Sequence, residues 1–210
     1  MNLMPLLDRI TTALSEVLAA NGKASIALSG GSSPVALYQA LSQVDLDWAS
    51  VTVTLIDDRL VPSDHPDSNQ RLIKETLLQD KAAAATFIPL DDWSADNIPD
   101  IAVLGMGTDG HFASLFPSML ARGEGFDPDA APAILTTEPL GNPEHPRITM
   151  SLSMILAIPD RVLMVIGDEK QAVLAAVAQS GQDLPITRLL AHDGTTNDKT
   201  SRTAIVTERI

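Results

Sequence analysis

Short apolar runs of β type alternate along this chain with stretches of helical periodicity, a pattern satisfied by a parallel sheet covered by helices. Residues 25–28, 51–56, 101–104, 133–137, 161–166 and 203–207 read as strands. Between them, residues 34–42, 69–79, 151–156 and 169–179 carry helical spacing. A first helix over about 4–20 stops at Asn21-Gly22, where glycine supplies the left-handed turn that ends a helix. The fold class is therefore α/β. Aromatic residues make up only 3% of the chain, so Ala, Val, Ile, Leu and Met must build the core.

No linker, repeat or low-complexity tract interrupts the 210 residues, and residues 1–210 read as a single domain. The formal charge of -13 argues against nucleic acid or an anionic membrane as partner, because a phosphate surface needs a basic face. It leaves room for a small acidic ligand where a few cations converge. The absence of cysteine excludes thiol catalysis, disulfides and thiolate metal sites. The N-terminal stretch carries Asp8, Arg9 and Glu16 and lacks a secretory leader's basic start and unbroken apolar core, so the expected location is cytoplasmic. No apolar run is long enough to span a bilayer.

Three segments at strand ends carry the chemistry. Behind the third expected strand, Gly105-Met106-Gly107-Thr108-Asp109-Gly110-His111 puts a carboxylate and an imidazole two residues apart on a glycine-rich turn. Such a turn presents a catalytic base at the carboxyl edge of a sheet, where open α/β folds bind ligands. After the first strand, Ser29-Gly30-Gly31-Ser32-Ser33-Pro34 leads into a helix, with Ser33 as expected N-cap and Pro34 as first helical residue. Free backbone N–H groups at such a helix start suit a phosphate, although the lysine and spacing of a nucleotide P-loop are missing. After the second strand, Asp57-Asp58-Arg59 leaves the sheet, and its carboxylates and guanidinium can bind hydroxyls or an anion. Two more cations follow. Arg147 precedes an apolar segment, and Lys170 lies in an opening helical turn, where the helix dipole disfavours a lysine unless an anion offsets it. Each of these also has a plain structural reading: an ordinary turn, a cap and pair in a solvated loop for Asp58 and Arg59, a solvated ion pair of Arg147 with Glu144, or offset of Lys170 by Asp168 and Glu169.

In order and spacing, the Leu28–Pro34 turn, Asp57-Asp58-Arg59 with Ser68-Asn69, the segment from Leu104 to Pro117 and Pro146-Arg147-Ile148-Thr149 closely resemble the 6-phosphogluconolactonase family, relatives of the glucosamine-6-phosphate deaminases. The resemblance implies a three-layer α/β/α sandwich with a mainly parallel, Rossmann-like sheet. It implies hydrolysis of 6-phospho-D-glucono-1,5-lactone to 6-phosphogluconate, in the pentose phosphate or Entner-Doudoroff route. It makes His111 the general base for water, with Asp109 supporting it. It assigns Ser29, Gly30, Gly31, Ser32, Ser33, Arg147 and Lys170 to the substrate and its phosphate, places Arg59 at the lactone end or sharing the phosphate, and counts Arg59 and Asp58 among the catalytic residues. The family usually has glutamate where this chain has Asp58, which shortens the reach and keeps the charge. The related deaminases place a glutamate five residues after the histidine, where this chain has Phe116, so hydrolysis is favoured over ring opening. A non-catalytic sugar-phosphate sensor is the other alternative, and Asp109 with His111 argues against it.

The four histidines, His65, His111, His145 and His192, show no zinc spacing, so no metal and no cofactor are expected. His65 reads as a surface histidine. The expected partner is a small phosphosugar lactone, and the expected assembly a monomer or weak homodimer. The polar segment 193–199 carries no assignable role.

Overall fold

The computed structural model describes residues 3–180, 182–192 and 202–208. Its strands, in chain order, are β1 (Ala24–Leu28), β2 (Val51–Leu55), β3 (Asp57–Arg59), β4 (Thr86–Phe87), β5 (Ile101–Gly105), β6 (Ile134–Leu140), β7 (His145–Met150), β8 (Asp160–Ile166) and β9 (Arg202–Glu208). The helices are α1 (Met4–Asn21), α2 (Val35–Ser42), α3 (Asn69–Thr76), α4 (Pro117–Leu120), α5 (Leu152–Ala157), α6 (Asp168–Ser180) and α7 (Pro185–Ala191).

The most apolar runs form a six-stranded parallel sheet in the order β4-β2-β1-β5-β8-β9. Read by position along the chain within that sheet, the order is that of a doubly wound, Rossmann-like fold, with the switch point between β1 and β5. Right-handed crossovers that move outward in opposite directions from that point put α2 and α6 on opposite faces, which gives the three layers. α1 faces the sheet with Leu6, Ile10 and Leu14, spaced four apart along one helix face, and closes on Gly22 in the left-handed conformation at φ 71°. The buried apolar residues of both sheets and the helices form one contiguous cluster.

Several elements differ from the sequence expectation. The segment expected as a strand at 133–137 is β6, and it lies outside the parallel sheet. It pairs antiparallel with β7, which pairs antiparallel with β3, making a second, three-stranded sheet. β3 and β7 carry no apolar alternation that marks a strand, because their residues include Asp57, Asp58, Arg59 and Arg147 and are ordered by one another. The second sheet is continuous with the first through Ile56, whose N–H donates to Leu28 O at 2.9 Å and whose carbonyl accepts Met150 N at 2.9 Å. The expected helix over 69–79 ends at Thr76 and gives way to a short 3-10 turn, Asp80–Ala84. Segment 193–199 lies outside the described residues.

Candidate active site

β1 and β5 end side by side, and the loops that follow them form the two walls of one cleft of about 320 Å³. The end of β1 is fixed to β5 by Ser29, whose N–H donates to Val103 O at 2.9 Å and whose hydroxyl accepts Gly105 N–H at 3.3 Å. Its carbonyl accepts the buried Tyr38 hydroxyl at 2.7 Å. The chain then turns through Gly31 at φ 88°, and Gly30, Gly31, Ser32 and Ser33 line the cleft. Pro34, one residue later than expected, is the N-cap of α2, so Ser33 makes no capping bond and its hydroxyl accepts Lys170 Nζ at 3.4 Å.

Gly30 is glycine for a reason visible across the cleft. A Cβ there would lie 1.8 Å from Asn69 Oδ1. Asn69 donates from Nδ2 to Asp57 O at 2.8 Å and accepts Arg59 Nη1 at 2.8 Å, so it ties β3 to the glycine turn. Asp57, whose carboxylate was read as able to bind hydroxyls, lines the cleft, and Asn69 and Asn142 line it without having been singled out as binding residues. Asn69 had the only signal, its place after the N-cap Ser68; Asn142 sits in an ordinary Gly-Asn-Pro turn, which says nothing of a site.

The opposite wall is the loop after β5. Gly110 adopts φ 79°, Gly107 N–H donates to His111 O at 2.8 Å, and the turn returns His111 beside Asp109. Asp109 Oδ1 lies 2.5 Å from His111 Nδ1 and also accepts the His111 amide at 3.1 Å. Partial burial pushes the Asp109 carboxyl up, yet the hydrogen bond and charge of His111 outweigh it and hold Asp109 below its ordinary range. An ionised Asp109 accepts, so in the neutral imidazole Nδ1 donates and the lone pair is at Nε2. Gly107 makes the pair possible, since a Cβ there would meet the His111 ring at 2.3 Å and Asp109 Oδ1 at 2.7 Å. The Phe116 ring sits 4.6 Å from the His111 ring, where a glutamate would offer a second carboxylate. Just beyond, Ser114 donates to Asp57 Oδ2 at 2.6 Å and its amide to Thr149 Oγ1 at 3.2 Å, anchoring this loop to the second sheet.

The cations converge from both sheets. Arg59 and Arg147 are directly opposite each other on β3 and β7, and both line the cleft with Lys170. Among the described residues, none of the three has a carboxylate within ion-pair distance. Arg147, 4% exposed, donates instead to Leu140 O at 2.9 Å and Pro143 O at 3.2 Å, and its charge lies 5.2 Å from the Phe116 ring centre. Burial, then the neighbouring Arg59, lowers its pKa, partly countered by Asp57, Asp58 and Asp67. Arg59 donates from Nη1 to Asp67 O and Asn69 Oδ1, while its buried Nε has no partner among the described residues. Burial also lowers Lys170. Three such cations beside the amides of a helix start are an arrangement able to receive a dianion.

Asp58 departs from its expected place. It does not line the cleft: its carboxylate accepts the amides of Asn69 at 2.6 Å, Gln70 at 3.0 Å and Arg59 at 2.7 Å, and the Ser68 hydroxyl at 3.2 Å. These bonds hold the start of α3. Burial raises its pKa against the pull of the backbone donors. Arg147, for which a plain pairing with Glu144 was open, uses backbone carbonyls instead.

A family model for glucosamine-6-phosphate isomerases/6-phosphogluconolactonase matches residues 3–198 of this chain. The chain belongs to this family. Curated 6-phosphogluconolactonases are similar over most of their length: that of Neisseria meningitidis is 40% identical, with 90% of this chain and 89% of the relative covered. That of Rhizobium meliloti is 39% identical, with 88% and 87% covered. The crystal structure of a 6-phosphogluconolactonase from Shewanella baltica superposes with a TM-score of 0.81 at 32% identity, covering 97% of this chain and 91% of that one. The chain is thus an enzyme of this family with its three-layer α/β fold. No described helix is long and apolar enough to cross a membrane.

Proposed function

We propose that this chain hydrolyses 6-phospho-D-glucono-1,5-lactone to 6-phospho-D-gluconate, with His111 as general base and the phosphate held by Arg147, Lys170 and the Gly30–Ser33 turn. One observation carries the reading. A single cleft is lined by a carboxylate-oriented imidazole and by three cations that have no carboxylate partner among the described residues.

The lactone carbonyl is an activated ester carbon, so the site needs an oriented water and no covalent nucleophile. His111 Nε2 takes a proton from the water that attacks C1. A tetrahedral oxyanion forms, and Arg59 is the donor at hand, such a donor contributing about 3 kcal/mol in favourable cases. The C1–O5 bond then breaks, and the imidazolium returns its proton to the departing ring oxygen. Asp109 stabilises the imidazolium and fixes the ring. Phosphate binding at a distance from C1 supplies the orientation.

The reading is tested by supplying fresh lactone and measuring 6-phosphogluconate above the spontaneous rate, beside glucosamine 6-phosphate with ammonia detection. Lactone turnover alone is expected, since Phe116 leaves His111 without the second carboxylate that ring opening uses. Ammonia release would assign the chain to the deaminase branch. Silence in both, with 6-phosphogluconate still bound, would make it a sensor.

A further inference from the structure

Outside the cleft, the loop between β3 and α3 meets the start of β7 in a cluster that the sequence spacing hid. His65 and Asp67 come from the loop and His145 from β7, and one ligand atom of each lies within 4.8 Å of the others. His145 Nε2 is 2.8 Å from Asp67 Oδ2, and His65 Nδ1 is 3.7 Å from the same oxygen. The imidazole rings stand edge to face at 5.7 Å. We propose that His65, Asp67 and His145 form a binding site for a divalent transition-metal ion of the zinc class, distinct from the lactone site.

Two imidazoles and a carboxylate are a donor set that zinc accepts, with a fourth position left for water. The loop is shaped before any ion arrives: His65 N–H donates to Pro62 O at 2.8 Å, Ser68 N–H to His65 O at 3.0 Å, and Arg59 Nη1 holds Asp67 O at 3.1 Å. The three side chains are 23 to 39% exposed, open enough for an ion to enter and buried enough to be held. The His65 lone pair now accepts the Asp67 amide at 3.1 Å, so the ion would replace one backbone contact. The chain's charge of -13 favours cation entry despite nearby Arg59. A bound ion would cross-link the 60–68 loop to β7, and the loop carries the carbonyl that positions Arg59.

The test is a zinc chloride titration of chelator-treated full-length protein, by calorimetry, with imidazole nitrogen NMR. One equivalent is expected, with shifts at His65 Nδ1 and His145 Nε2, and a melting temperature higher by roughly 5–10 °C at a hundredfold excess over Kd. His65→Gln and His145→Gln should each weaken binding by roughly tenfold or more, while His192→Gln binds as wild type. Circular dichroism of each variant checks that it is folded. No saturable binding would overturn the assignment. So would binding unchanged in both glutamine variants, or binding lost in His111→Ala instead, which would move the ion to the catalytic pair.

Discussion

At the residue scale, the proposed base works through contacts that single atoms decide. His111→Ala removes the proton acceptor and leaves Arg59, Arg147 and Lys170 in place. We expect kcat to fall about 10²- to 10⁴-fold with KM little changed, measured by steady-state lactone hydrolysis. Near-normal turnover would end the base assignment. Gly107→Ala tests the same pair from its other side. The added methyl would sit 2.3 Å from the imidazole, so the Asp109–His111 contact must open. We expect a loss in kcat approaching that of His111→Ala, with 6-phosphogluconate affinity kept; unchanged kcat would mean that the contact is dispensable. Lys170 gives a pH signature. Burial lowers its pKa from the ordinary 10.5, so it loses its charge at a lower pH than a surface lysine, and a dianion favours the charged form. Affinity for 6-phosphogluconate should therefore decline as pH rises through a range below that of a normal lysine. In Lys170→Arg, which stays charged, the decline should vanish; a decline of equal size in both would remove Lys170 from the phosphate site.

At the scale of elements, Asp58 is the joint between β3 and α3. Asp58→Ala leaves the amides of Arg59, Asn69 and Gln70 and the Ser68 hydroxyl without their acceptor in a largely buried place. The expected cost is about 3 kcal/mol, seen as a melting temperature lower by roughly 6–12 °C. Asp58→Asn, which keeps one acceptor oxygen, should lose less, and a melting temperature unaltered in Asp58→Ala would refute the joint. This element also marks what the sequence could reveal. The parallel strands were legible because their apolar runs report burial on both faces, as in the fully buried Val162–Val165 of β8. The turns at Gly30-Gly31 and Gly105–His111 were legible because glycine and chemistry-bearing residues coincide there. β3 and β7 were not, since a strand made of Asp57-Asp58-Arg59 is stable only against the partner it meets 90 residues later. Long-range contacts likewise hid Asn69 over Gly30 and His65 beside His145. Such contacts have no period to read.

At the scale of the whole molecule, the proposed site belongs to neither sheet alone. The parallel sheet contributes the Ser29–Ser33 turn, Gly107, His111 and Lys170, and the antiparallel sheet contributes Arg59 and Arg147. The two guanidiniums stand opposite each other on β3 and β7 and repel within the antiparallel sheet. A phosphorylated ligand should convert that repulsion into a bridge. At a hundredfold excess over Kd, 6-phosphogluconate adds about 2.7 kcal/mol to the folded state, a rise of roughly 5–11 °C in melting temperature for a chain of this size. The location of the effect is the sharper readout. Amide exchange should slow together in the 30–34 turn and in β7, because one anion holds both. In Arg147→Ala the thermal shift should shrink and the slowing in β7 should be lost, while any residual slowing stays at the turn. Equal protection of β7 in wild type and variant would show that the ligand rests on the parallel sheet alone.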